Sequence, residues 1–343
     1  MSGLIDGIYG QIIKVRNRLY DTGRFRTYWL DAPVVSVGNI TVGGTGKTPT
    51  VILLAEIARE LGANPGIILR GYGKKADSDS DETMLFRKRV SFAKIVAHRD
   101  RVLAGHKAIE QGANILIADD AFQHRRLGRD FDICLIDATF PFGGERLLPF
   151  GRLREPIDSL KRADLIIVTR ANQIGQEELR SLTNRLKNIV ADISILYSSH
   201  KPKRLAMLDG RELAVDDIRN KRVFLFAALA RPKGFYETIV KLGANVVGTK
   251  YFPDHYFFTP DDLQNINCSA DRSDADFIVC TEKDIVKLNE NLLVNAKINS
   301  KRLLSLEIEM EISGDGEDIL RKKMEQLLNN FSRDILERIC MNK

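Results

Sequence analysis

Apolar runs that end in polar or glycine-rich turns recur along the chain, with helix-periodic stretches between them. Residues 34–39, 66–69, 114–118, 131–137 and 164–169 contain few polar interruptions, as expected for strands of a parallel sheet covered on both faces. Between them, residues 49–61 and 101–111 carry the apolar spacing of helices. The alternation predicts an α/β fold, a doubly wound and mostly parallel sheet, over residues 1–200. A second, smaller α/β domain is expected over residues 201–343, with strands near 222–227, 245–251 and 277–281 and helices near 233–242 and 317–329. The polar stretch 198–204, which contains Pro202, is the expected boundary.

The N-terminus has a different pattern. Leu4, Ile5, Ile8, Tyr9, Ile12, Val15 and Leu19 fall on one arc at about 100° per residue, and Asp6, Lys14, Asn17 and Arg18 fall on the other. This predicts an amphipathic helix, which fits either packing against the body of the protein or lying in a membrane interface with cations on its polar face. No run approaches the ~18 apolar residues of a spanning helix, and no apolar signal region precedes a small-residue cleavage site. Membrane spanning and secretion are therefore not expected. The 343 residues carry 52 lysines and arginines against 46 acids, a formal charge of +6 that favours anionic partners without naming one. Cys134, Cys268, Cys280 and Cys340 show no metal-ligand spacing, which suits reduced thiols.

Chemistry concentrates first in Val34-Val-Ser-Val-Gly-Asn-Ile-Thr41-Val42-Gly43-Gly44-Thr45-Gly46-Lys47-Thr48-Pro49. Strand, glycine-rich loop and helix follow in the order that aims backbone N–H groups at phosphate, with Lys47 as a point charge and Thr48 as a hydroxyl for Mg²⁺. Proline at position 49 fits the first helical turn. The strict pattern has glycine where Thr41 stands, so this is a variant phosphate-binding loop. The apolar run Ile115-Leu-Ile-Ala ends in Asp119-Asp120, two acids where a nucleotide-bound metal is held. Only one of two successive strand residues can face the metal, and one could cap a turn instead. Asp81-Glu82 closes an acidic, serine-rich stretch that composition alone reads as solvated surface. His255 lies in Phe252-Pro-Asp-His-Tyr256, and Arg70 and Arg101 are candidate phosphate contacts. From the residues alone this is a Mg²⁺-nucleotide protein with an unassigned acceptor.

The ordered set of motifs resembles the tetraacyldisaccharide 4′-kinase family, the lipid A 4′-kinases of Gram-negative bacteria. The resemblance rests on Ser36 through Thr48, Arg70-Gly-Tyr72, Asp81-Glu82, Asp100-Arg101, Asp119-Asp-Ala-Phe-Gln-His124, Leu148-Pro-Phe-Gly-Arg-Leu-Arg-Glu-Pro156, Phe252-Pro-Asp-His255 and Thr281-Glu-Lys-Asp284. It implies a P-loop NTPase-like fold with transfer of the ATP γ-phosphate to the 4′-hydroxyl of a tetraacylated glucosamine disaccharide 1-phosphate. The product would be lipid IVA, formed by a peripheral enzyme at the cytoplasmic face of the inner membrane. It further implies that Asp81 is the base, that His255 partners it from the second domain, and that Thr48, Glu82, Asp119 and Asp120 surround Mg²⁺. Arg70, Arg101, Gln123, His124 and Arg154 match positions near substrate or nucleotide. With a substrate held in a bilayer, interface binding through Leu4, Ile5, Ile8 and Ile12 becomes the favoured reading of the helix.

The chain departs from the family pattern at Ser80, Thr83, Leu69 and Ala121, and each departure leaves the acid or base itself in place. P-loop ATPases with the loop K-G-G-T-G-K-T place a signature lysine where this chain has Val42. A nucleic-acid-binding module would need aromatic residues among its basic ones, and Arg87-Lys-Arg89, Arg125-Arg126 and residues 201–204 are scattered without them. No nucleic-acid partner is expected.

Overall fold

The structure is a computed structural model, and it describes residues 2–71, 80–296 and 302–341. The chain runs α1 (Ser2–Asp21), β1 (Val34–Asn39), α2 (Lys47–Glu60), β2 (Pro65–Leu69), α3 (Asp81–Arg89), β3 (Lys94–Ala97), α4 (Arg101–Glu110), β4 (Ile115–Asp119), β5 (Phe131–Asp137), β6 (Leu165–Thr169), α5 (Gln176–Ile189) and β7 (Ser194–Met207). It continues with β8 (Glu212–Leu213), β9 (Arg222–Ala228), α6 (Lys233–Lys241), β10 (Asn245–Phe252), α7 (Pro260–Arg272), β11 (Phe277–Thr281), α8 (Glu282–Ile285), α9 (Glu290–Asn295), β12 (Leu303–Ile312) and α10 (Gly316–Met341).

Two compact units result. The first comprises Met1–Ser78, Arg89–His200 and Met310–Lys343, and the second Asp79–Lys88 and Lys201–Glu309. The units meet at His200 and Lys201 within strand β7, not in a linker. The helix expected near 317–329 is part of α10, which belongs to the first unit. Asp79–Lys88, whose helical residues begin at Asp81, belongs to the second.

In the first unit the strands lie in the order β7-β6-β5-β1-β4-β2-β3, and every pairing is parallel. Strands β1, β2, β4, β5 and β6 are buried along their whole length, which is why they read as apolar runs without alternation. One face packs Val34, Ile68, Leu116 and Ala118 with Val102 and Ala108 of α4. Ile136, Ile166 and Val168 pack with Leu182 and Leu186 of α5. In the second unit the order is β10-β9-β11-β12-β7, with β8 antiparallel to β7. Here β9 divides its residues cleanly: Val223, Leu225 and Ala227 enter one core, and Phe224, Phe226 and Ala228 the other. α7 starts with Thr259 as N-cap, its hydroxyl accepting from the Asp262 N–H at 3.2 Å, and with proline in the first turn.

α1 is bonded to the body of the first unit through Tyr9, Arg16 and Asn17. The Tyr9 hydroxyl donates to the Arg154 carbonyl at 3.1 Å, Arg16 to the Gln123 carbonyl at 2.7 Å, and the Asn17 amide to Glu155 at 3.0 Å. The apolar arc faces outward: Ile8, Ile12 and Val15 are exposed at 54%, 59% and 57%. The side chains of Leu4 and Ile5 lie outside the described residues. Among the described residues no helix is long and apolar enough to cross a membrane.

One glycine fixes how closely β1 approaches the turn after β4. A Cβ at Gly38 would stand 2.6 Å from the Phe122 Cβ and 2.7 Å from its backbone nitrogen, so neither side can yield by rotating a side chain. Gly38→Ala is expected to destabilise the protein by about 1–3 kcal/mol, the usual cost of overpacking, which urea unfolding would measure.

Candidate active site

The phosphate-binding loop lies between β1 and α2. Gly46 stands just before the helix with φ 91°, a left-handed conformation open to glycine. A side chain there would also meet the His200 Nε2 at 2.8 Å. The loop is tied down from neighbouring elements. The Thr169 hydroxyl, at the end of β6, donates to the Thr45 carbonyl at 3.0 Å, and the Thr50 hydroxyl donates to the Gly46 carbonyl at 2.8 Å. The Val42 N–H donates to the Arg152 carbonyl at 2.8 Å, and the Arg154 N–H to the Ile40 carbonyl at 2.8 Å. Because α2 begins at Lys47, the unpaired N–H groups of its first turn and the loop N–H groups present partial positive charge together.

β4 runs parallel to β1 with Asp119 in register with Val37, so both strands deliver their following loops to one edge. Asp119 is buried at 4% exposure, and Asp120 turns the chain with φ 47°. Cations converge on Asp120. Arg154 Nη1 lies 2.8 and 2.9 Å from its two oxygens, and Lys47 Nζ lies 3.5 Å from Oδ1. Burial alone would push this carboxyl up, but Lys47, Arg154 and Arg101 outweigh it and hold it below the ordinary carboxylate value. Arg101 is itself buried, and its guanidinium donates to the carbonyls of Asp119 at 2.6 Å and Asp120 at 3.0 Å. Gln123 bridges from the Asn39 carbonyl, at 2.8 Å from its amide nitrogen, toward Arg154. Arg70 is exposed directly after β2, and Tyr72 lies outside the described residues.

Burial, with Arg101 next in weight, pushes the His124 imidazole down to about 4. Burial, with Arg170 next, does the same to His200, to about 4. Sequence reasoning did not single out His200 or its surroundings, where Arg170 pairs with Asp137. The available signal was topological, since Asp137 ends β5, Arg170 follows β6 and His200 lies within β7, which pairs with β6.

The second unit holds Asp81, Glu82 and His255. Asp81 opens α3 and is buried at 5% exposure, with its Oδ1 accepting the Glu82 N–H at 3.0 Å. His255 Nδ1 lies 3.0 Å from Asp81 Oδ2 and 3.2 Å from Oδ1. His255 has φ 59°, an uncommon left-handed conformation for histidine that places the ring against the carboxylate. The sequence reading places the two partners in different domains, whereas α3 belongs to the same compact unit as His255. Glu82 pairs with Lys283 Nζ at 3.3 Å.

Among the described residues no three His, Cys, Asp or Glu side chains form a ready metal cluster. The oxygens of Thr48 and Asp119 are nonetheless of the type Mg²⁺ takes, with phosphate oxygens and water completing the shell. Asp120 is engaged by two cations in this state.

A glycine-rich loop between a buried parallel strand and a helix, with lysine and threonine at the helix start and acids on the neighbouring strand, defines a P-loop nucleotide-binding fold. The family model for tetraacyldisaccharide-1-P 4′-kinase matches residues 4–328. The chain is similar to the tetraacyldisaccharide 4′-kinase of Syntrophus aciditrophicus, 38% identical over 301 residues that cover 80% of each chain. It is also similar to that of Elusimicrobium minutum, 34% identical over 340 residues, 93% of this chain and 89% of the relative. Among solved structures it is similar to the "apo" form of LpxK from Aquifex aeolicus in complex with ATP, with TM-score 0.72, 27% identity, and 95% and 97% of the two chains covered. The chain belongs to the tetraacyldisaccharide-1-P 4′-kinase family, and with it to the ATP-using kinases of lipid A biosynthesis.

The two half-buried, desolvated imidazoles are expected to make folding depend on pH. The unfolded chain protonates them below about 6.5, whereas the folded chain does so only near 4, so stability falls as pH drops through that window. His200→Gln, which has no titrating group, is expected to show a smaller loss of Tm between neutral and acidic pH than the parent. An unchanged slope would remove His200 from that account.

Proposed function

We propose that this chain transfers the γ-phosphate of ATP to the 4′-hydroxyl of a tetraacylated glucosamine disaccharide 1-phosphate, forming lipid IVA. The observation that carries the reading is the Asp81–His255 contact at 3.0 Å in a chain with an intact Lys47-Thr48 phosphate loop. Phosphoryl transfer depends on positioning and charge neutralisation, with one oriented base to accept the proton. The loop N–H groups and Lys47 bind the phosphates. Asp81 takes the proton from the 4′-hydroxyl at a carboxylate oxygen, and His255 orients that carboxylate through Nδ1. Thr48 and Asp119 would hold Mg²⁺, with Asp120 and Glu82 as the further acids, and the metal bound there would supply neutralisation of phosphoryl charge.

We assign the reaction to a bilayer surface on the strength of the acceptor's acyl chains, and to the cytoplasmic face of the inner membrane as part of the same proposal. The outward arc of Ile8, Ile12 and Val15, with Phe25 exposed at 43% beside them in an apolar groove, supports α1 as the element that lies in the interface. Lys14 and Arg18 add attraction for anionic lipid.

Purified protein given radiolabelled ATP, Mg²⁺ and the disaccharide 1-phosphate lipid in detergent is expected to place label in lipid, and absence of transfer would sink the assignment. Asp81→Asn is expected to lower kcat at least ~100-fold while ATP still binds, the usual contribution of a general base. Near-normal turnover would take that role from Asp81. Replacing Ile8, Ile12 and Val15 together with serine is expected to move the protein from sedimenting vesicles to the supernatant, with ATP binding intact.

A further inference from the structure

The second unit contains a buried cation facing the proposed base from a side His255 does not occupy. Lys287 lies just beyond α8, with no side-chain exposure. Its Nζ is 3.1 Å from Asp284 Oδ1 and 3.8 Å from Asp81 Oδ2, and it stands 5.7 Å from the centre of the Phe258 ring. Asp284 is also fully buried, and it is fixed in turn. Its Oδ2 accepts from the Thr281 hydroxyl at 2.6 Å and from the Ala228 N–H at 3.2 Å.

The order of support is therefore β9 and β11 to Asp284, Asp284 to Lys287, and Lys287 to Asp81. Stability alone is a weak reason to keep such an arrangement, because replacing a buried ion pair with apolar residues of similar volume is often neutral or favourable. What the charge does provide is a fixed electrostatic contact in a place that water does not screen. His255, by contrast, is 55% exposed in its side chain and meets Asp81 from the solvent side.

We infer that Lys287 is a positioning residue of the phosphoryl transfer, pinning the Asp81 carboxylate from the buried side while His255 orients it from the exposed side. The inference rests on the reading of Asp81 as the base. No proton moves through Lys287; the hydroxyl proton passes to Asp81, and the ammonium fixes where that oxygen stands. Asp284 serves to hold the ammonium in place. The segment Thr281-Glu-Lys-Asp284 thereby acquires a role at the reaction through its neighbour three residues on.

The test measures label transfer at saturating ATP and disaccharide lipid, with folding followed by circular dichroism and Tm. Two variants are used: Lys287→Met, and Lys287→Met combined with Asp284→Asn, which leaves no unpaired carboxylate at 284 and so protects the fold. Each folded variant is expected to lose about tenfold or more in kcat, with the Kd for ATP within about twofold of the parent. The same change made in the Asp81→Asn background is expected to cost less than about twofold, because no carboxylate remains to be positioned. Unchanged kcat in the neutralised pair, or the same fold-loss in both backgrounds, would overturn the inference in favour of a purely structural role. Failure of the underlying reading looks different, since Asp81→Asn alone would then turn over at nearly the parent rate.

Discussion

Asp120 ends an apolar strand in a left-handed turn, and Lys47 and Arg154 converge on its carboxylate while Arg101 grips the carbonyl behind it. Without that anion, Lys47 and Arg154 would repel each other at the edge of a buried sheet with no counter-charge from Asp120. With it, the lysine of the phosphate loop has a fixed position and the segment that carries Arg154 is held against the loop. Asp120 is therefore an internal counter-ion, keeping a strongly positive site folded in the state described here.

This cluster also reaches the first helix. Arg154 receives the Tyr9 hydroxyl on its carbonyl, Gln123 receives Arg16 on its carbonyl, and Glu155 receives Asn17. A helix bonded this way cannot roll about its axis without disturbing the segments that carry Arg154 and Gln123. Packing, one of the two readings of its sequence, thus accounts for one side of the helix and leaves the exposed apolar side to the interface reading proposed above. Tyr9, Arg16 and Asn17 are bonded to the protein, and Ile8, Ile12 and Val15 remain exposed.

Burial explains which parts were legible in the sequence. β1, β4, β5 and β6 are covered on both faces, so they had to be written in apolar residues, and the loop after β1 had to be written in glycine. β3 was missed because it lies at the edge of its sheet and begins with Lys94, an exposed residue. β7 read as a linker because its middle carries His200, Lys201, Pro202 and Lys203, mostly half-buried or exposed. At the site, Lys47 and the Asp119-Asp120 pair stood out on local grounds, whereas Asp81 read as solvated surface until the family resemblance gave it weight. Its environment comes from His255, 174 positions away, and from Lys287, and no local pattern encodes such a meeting. Arg101 shows the converse. It looks like a phosphate contact in sequence, and in the structure its Nη2 donates to two backbone carbonyls.

The path of the chain has a consequence for how the protein could be taken apart. The second unit takes Asp79–Lys88 from early in the sequence, and the first takes Met310–Lys343 from its end, so neither unit is one continuous stretch. Cutting at the join between His200 and Lys201 would leave the first fragment without its closing strand residues and helix. The second fragment would keep His255 and lose Asp81. Gene halves of this enzyme therefore do not correspond to working parts, and insertion, permutation or fragment complementation must respect a chain that passes back and forth between its two bodies.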